Sequence, residues 1–152
     1  MLAAVEAATE FREKLPIRSV IDYLAEALDG RKAVDYFIGY KPAPFVAESD
    51  DELGVSVLTS DFVFEFVFGP HRRRYDVTAL RSLAWFKLDE RESVRLDGTF
   101  EPVVKFEARF AGTDVELLIE AAGEKAAQLK SFAKRFEHYL LTSRLDVGAG
   151  PA

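Results

Sequence analysis

His71-Arg72-Arg73-Arg74 is the densest run of potential cations in the chain. An arginine fork donates two parallel hydrogen bonds to a phosphate, so such a run could hold an anionic headgroup. The same run also suits the solvated end of a hairpin, where long charged side chains commonly sit. Two acidic stretches bear on that choice. Glu48, Asp50, Asp51 and Glu52 lie in one, and Asp89, Glu90 and Glu92 in the other. Neither has the Asp-x-Asp-x-Asp-Gly spacing with a distal Glu of a Ca²⁺ loop. Both are read as solvated loops. His138 stands between Glu137 and Tyr139 without a marked nucleophile or acid partner, so a surface position on a helix is expected. The chain has no phosphate-cradling Gly-rich loop, no Gly-x-Ser-x-Gly and no His-Glu-x-x-His. No catalytic residue, no metal and no cofactor is therefore expected.

Composition narrows the classes further. The 152 residues suit one domain, with 49% hydrophobic residues, 30% charged residues and 13 Phe. There is no Cys, which removes disulfides, thiolate chemistry and Cys-type zinc sites. The net charge of −6 argues against broad binding to nucleic acid or anionic membranes, though one local basic patch is compatible with it. Acidic residues interrupt the N-terminal apolar stretch, and no segment approaches the ~20 apolar residues of a membrane span. A cytoplasmic location is the resulting expectation.

The elements that must position these residues follow from periodicity. Val5, Ala8, Phe11, Arg12 and Leu15 suggest a short helix over 3–15, its apolar stripe broken by one charge. Ile17, Val20, Ile21, Leu24 and Leu28 mark a further helical stretch, with Pro16 at its start and Gly30 at its stop, so two helices or one kinked helix are expected over 3–29. From Gly30 onward the period becomes two. Strands are expected over 33–41, 55–59, 61–68, 73–80, 82–88, 102–110 and 114–121. In 61–68, Phe62, Phe64, Phe66 and Phe68 share one face. Residues 41–54 and 89–98 read as loops, and "GPHR" (69–72) as a hairpin turn. If Tyr75 and Val77 face the core, Arg72, Arg74 and Asp76 share the outer face. Trp85 and the phenylalanines are assigned to core packing rather than to a ligand cavity. The final helix, 123–143, carries Ala126, Leu129, Phe132, Ala133, Phe136 and Leu140 on one stripe.

The middle of the chain resembles the bacterial pleckstrin-homology (PH)-like and GRAM-like families over about residues 33–143. The resemblance rests on Gly54-Val55-Ser56-Val57-Leu58-Thr59 followed by Phe62, Phe64 and Phe66, on "YDVTALRSLAWFKL", and on the last strand and helix. It implies an α+β fold: a PH-like antiparallel barrel of about seven strands capped by a C-terminal helix. Residues 1–30 would be an N-terminal helical extension, 31–145 the barrel domain and 146–152 a disordered tail. Whether the extension packs on the barrel or on another chain is left open by the sequence.

The resemblance also implies that the loops after strands 1, 3 and 6 meet at the open end of the barrel. The 71–74 turn would then neighbour the acidic 48–52 loop, whose carboxylates would cancel its field. The leading functional expectation is a non-enzymatic cytoplasmic module that recognises a protein segment or self-associates. The alternative is phosphate or anionic lipid headgroup binding through His71, Arg72, Arg73 and Arg74, with peripheral membrane contact as the lesser option. Nucleic acid is not an expected partner.

Overall fold

Alternating phenylalanines and a helix with one apolar stripe need each other, since each leaves a face that water will not cover. The computed structural model, which describes residues 1–5, 17–39, 52–69 and 72–149, brings them together. The protein is α+β, with two antiparallel sheets and a C-terminal helix. It divides into two compact units, Met1–Thr78 and Ala79–Ala152.

In the first unit, helix α1 (Ile17–Leu28) precedes β1 (Asp35–Gly39), β2 (Leu53–Leu58), β3 (Phe62–Phe68) and β4 (Arg73–Ala79). The four strands form one sheet in sequence order. Val20, Leu24 and Leu28 of α1 are buried in one core with Val5, with Leu53, Val55 and Val57 of β2, and with Phe64, Phe66 and Phe68 of β3. The register Val55↔Phe66 and Val57↔Phe64 puts these strand residues on one face. So α1 packs on the sheet of its own chain. The phenylalanine stripe faces this helix, and its rings stack nearly parallel along the strand. α1 ends where expected: Asp29 and Gly30 take φ of 47° and 77°, a left-handed stop that Gly30 adopts without strain.

Only residues 3–5 of the expected first helix fall among the described residues, and they are helical; residues 6–16 lie outside them. Thr59 explains why a Thr can close β2. Its N–H and hydroxyl donate to the Phe62 carbonyl, and its Oγ1 accepts from the Phe62 N–H at 3.1 Å, locking the β2–β3 turn.

The second unit holds a 3₁₀ turn (Leu80–Ser82), then β5 (Leu83–Val94), β6 (Phe100–Phe110), β7 (Glu116–Ala122) and helix α2 (Glu124–Ala149). The strands form a three-stranded sheet in sequence order, and α2 packs against it. The sequence alternates Val104, Phe106, Ala108 and Phe110 against Val103, Lys105, Glu107 and Arg109; the first four are buried and Arg109 is exposed, but Val103 on the opposite face is buried as well. Phe106 meets Phe132 and Phe136 of α2 at 6.3 and 5.0 Å between ring centroids. The helix runs to Ala149, six residues beyond the expected 143, because Arg144 to Val147 tolerate helix and Gly148 only weakens it. Residues 150–152 of the expected tail lie outside the described residues.

Residues 89–94 are strand, not loop. Their register with β6 continues through Arg91↔Val103 to Val94↔Phe100, and their charges find partners: Glu90 with Lys130 at 2.7 Å, and Arg91 with Glu120 at 3.1 Å. Trp85 is not core. It is 41% exposed on the polar face of the sheet, with the Arg109 guanidinium 5.2 Å from its ring centroid.

Candidate functional site

β4 is the terminal strand of its sheet, and the three arginines lie at its start. The Gly69 N–H donates to the Arg72 carbonyl at 2.8 Å, which closes the β3–β4 hairpin. From that bond, the alternation of an antiparallel strand fixes every later residue of β4. Residues 72, 74 and 76 turn their backbone groups toward β3. Arg73, Tyr75 and Val77 turn their N–H and C=O toward the open edge.

Side chains alternate accordingly. Arg73 and Tyr75 project to the α1 face. The Arg73 guanidinium donates from Nη1 to Ser19 Oγ and lies 5.7 Å from the Tyr23 ring centroid. The Tyr75 ring extends the phenylalanine row, 5.5 Å from Phe66, and meets Tyr23 edge-on at 5.7 Å. Arg72 and Arg74 project to the other face. Arg72 donates from both Nε (3.0 Å) and Nη2 (2.7 Å) to Glu52 Oε1. Arg74 Nε stands 4.0 Å from Asp76 Oδ2.

The acidic stretch thus reaches the arginines through Glu52. Glu48, Asp50 and Asp51 lie outside the described residues, as does His71. The two visible ion pairs differ in strength. The Glu52 side chain is only 12% exposed and receives two charge-assisted bonds, whereas Arg74 and Asp76 are each about half exposed. Arg72→Ala should therefore cost about 1–3 kcal/mol, because it strands a largely buried carboxylate. Arg74→Ala should stay within ~0.5 kcal/mol. Urea denaturation of the two variants checks the order; equal losses would contradict it.

Tyr75 and Val77 are 40% and 46% exposed, so the edge carries apolar surface that core packing does not use. Every residue from Arg73 to Val77 is exposed, and burial resumes at Thr78. No periodicity argument separates this strand from its neighbours; sheet order does.

His138 is exposed on α2, as expected for a surface helix position. Asp89 pairs with Lys87 at 3.3 Å. Among the described residues, no group of three or more His, Asp or Glu side chains is arranged to hold a metal ion, and no helix is long and apolar enough to cross a membrane.

Residues 95–98 of the expected 89–98 loop lie outside the strands and form the tip of the β5–β6 hairpin. The β5–β6 hairpin ends in a three-residue loop, Leu96-Asp97-Gly98, closed by Arg95 N–H to Thr99 O at 2.8 Å and Gly98 N–H to Arg95 O at 2.9 Å. Gly98 takes the left-handed φ of 83° this loop needs. The Thr99 hydroxyl and N–H both donate to Asp97 and hold its carboxyl below the usual carboxylate range. Val94, Leu96 and Phe100 are exposed around this tip. The sequence signal for so short a loop is the Asp-Gly pair between Val94 and Phe100, masked by the charges before it.

No protein-family model, no curated protein and no solved structure matches the chain.

Proposed function

We propose that the chain is a non-enzymatic binding module that takes up an extended protein segment along the open edge of β4. The observation that carries this reading is the run Arg73–Val77. It combines outward backbone groups, exposed apolar side chains and charge on the end strand of a sheet. A segment added there would gain main-chain hydrogen bonds from residues 73, 75 and 77, and its alternate side chains would meet Tyr75 and Val77. The arginines favour this over phosphate capture. Arg72 is committed to Glu52 and Arg73 to Ser19 and Tyr23, so neither fork points free toward a headgroup.

The wider reading is a cytoplasmic protein of PH-like architecture. Among the described residues, seven antiparallel strands followed by one long helix, in that order, support it, as does Thr59 closing the strand that carries the Gly-Val-Ser-Val-Leu-Thr motif.

A photo-crosslinking phenylalanine analogue at position 75, introduced in cells, tests the site. The expected result is a protein adduct whose crosslinks map along one continuous partner segment. The same analogue at Ser60, on the β2–β3 turn, should give none. No protein adduct from position 75, or equal adducts from both positions, would overturn the reading.

A further inference from the structure

We infer that the segment taken up at this edge is β4 of a second copy, paired antiparallel about Tyr75. This rests on the edge-binding reading above and names its occupant. In a two-fold pairing of one strand with itself, the residue at the axis decides which side chains oppose each other. Centred on Asp76, two carboxylates face each other directly. Centred on Arg74, two guanidiniums do. Centred on Tyr75, Arg74 faces Asp76 of the other copy, and Asp76 faces its Arg74. Opposite charges on directly opposed residues stabilise a strand pair, and like charges destabilise it.

Backbone geometry agrees with that register. Residues 73, 75 and 77 carry the outward N–H and C=O groups, so Tyr75 opposes Tyr75 and Arg73 opposes Val77 as hydrogen-bonded pairs. That allows about six inter-strand hydrogen bonds. Arg74 and Asp76 then fall at the closer, non-hydrogen-bonded positions, where side-chain pairs interact most.

The extent of the edge agrees as well. The exposed run is Arg73–Val77, and Tyr75 is its middle residue; Thr78 is 7% exposed and marks its end. Within one chain Arg74 and Asp76 stand 4.0 Å apart with about half of each side chain exposed, so both are available to a facing partner. An edge guarded by charges of one sign would repel every copy. This one is self-complementary in a single register. Pairing would merge two four-stranded sheets into one of eight, with the two Tyr75 rings adjoining on the α1 face.

The test is a charge exchange read by sedimentation equilibrium. The unaltered protein is expected to dimerise. Arg74→Asp places two pairs of facing acids in the dimer and Asp76→Arg two pairs of facing bases. Each variant alone should dimerise at least about tenfold more weakly. An equimolar mixture should regain the dimer. One variant then carries acids at positions 74 and 76 and the other carries bases at both, so every facing pair is of opposite charge. Both sites are exposed, and circular dichroism confirms that each variant is folded. A monomeric unaltered protein, variants that dimerise as well as it does, or a mixture that stays monomeric would each overturn the self-pairing. Crosslinking from position 75 separates the two readings. A mapped segment from a different protein, with this chain monomeric, removes self-pairing and keeps edge binding. No adduct from position 75 removes both.

Discussion

Phe66→Ala is expected to lower the unfolding free energy by about 3–5 kcal/mol, the usual range for deleting a buried ring. The reason lies in its surroundings. Phe66 is 1% exposed and sits between Phe64 and Phe68, with ring centroids 6.1 and 5.9 Å away. Tyr23 of α1 meets it edge-on at 6.4 Å, and Tyr75 of β4 flanks it at 5.5 Å. These neighbours hang from two strands and a helix, which hydrogen-bonded ladders hold in place. They cannot close on the space that a truncated ring leaves, so the cavity persists and its cost adds to the lost burial. Tyr75→Ala removes a ring from the same row at the exposed edge and should cost only about 1 kcal/mol. Urea denaturation followed by circular dichroism checks both. A loss below ~1 kcal/mol for Phe66→Ala would mean that the row is not the core of its unit.

That row also shows how far the sequence reading reaches. A period of two placed Phe62 to Phe68 on one face, and a period of three to four placed Val20, Leu24 and Leu28 on one stripe. Both are local properties of the backbone, and both survive into the structure. What periodicity cannot supply is the order of strands in a sheet. Tyr75 and Val77 carry the pattern of a core-facing strand, yet they are exposed, because among the described strands β4 pairs with β3 alone. Arg73 finds its acceptor in Ser19, 54 positions away in sequence, and Arg72 finds Glu52, 20 positions away. Such contacts belong to the fold and not to any window of residues.

The charged stretch 89–94 failed for a related reason. Its residues have weak strand preference of their own, and β6 supplies the template. Trp85 has the size of a core residue, but its position on β5 turns it to the outer face beside Arg109. Of the arginine cluster, residue types and clustering were legible. The bond to Glu52, which commits one fork, was legible only as an expected neighbourhood.

In the second unit the decisive substitution is Phe136→Ala. Phe136 is fully buried, 5.0 Å from Phe106 and 5.2 Å from Phe132 by ring centroid. It joins the helix to the middle strand of the sheet, so its loss removes contacts from both layers at once. The expected cost is about 3–5 kcal/mol, a fall in melting temperature of roughly 10 °C for a chain of this length. Trp85 is the only tryptophan and lies on β5 of the same unit, so its fluorescence reports the transition. Leu141→Ala is the matched control, because a leucine five positions later on the same helix is 57% exposed. It should change stability by no more than ~0.5 kcal/mol. Hydrophobicity alone ranks these two residues as near equals; only the helical face separates them. If Leu141→Ala costs as much as Phe136→Ala, α2 does not present the stripe 129, 132, 133 and 136 to β6, and the packing of helix on sheet described for this unit is wrong.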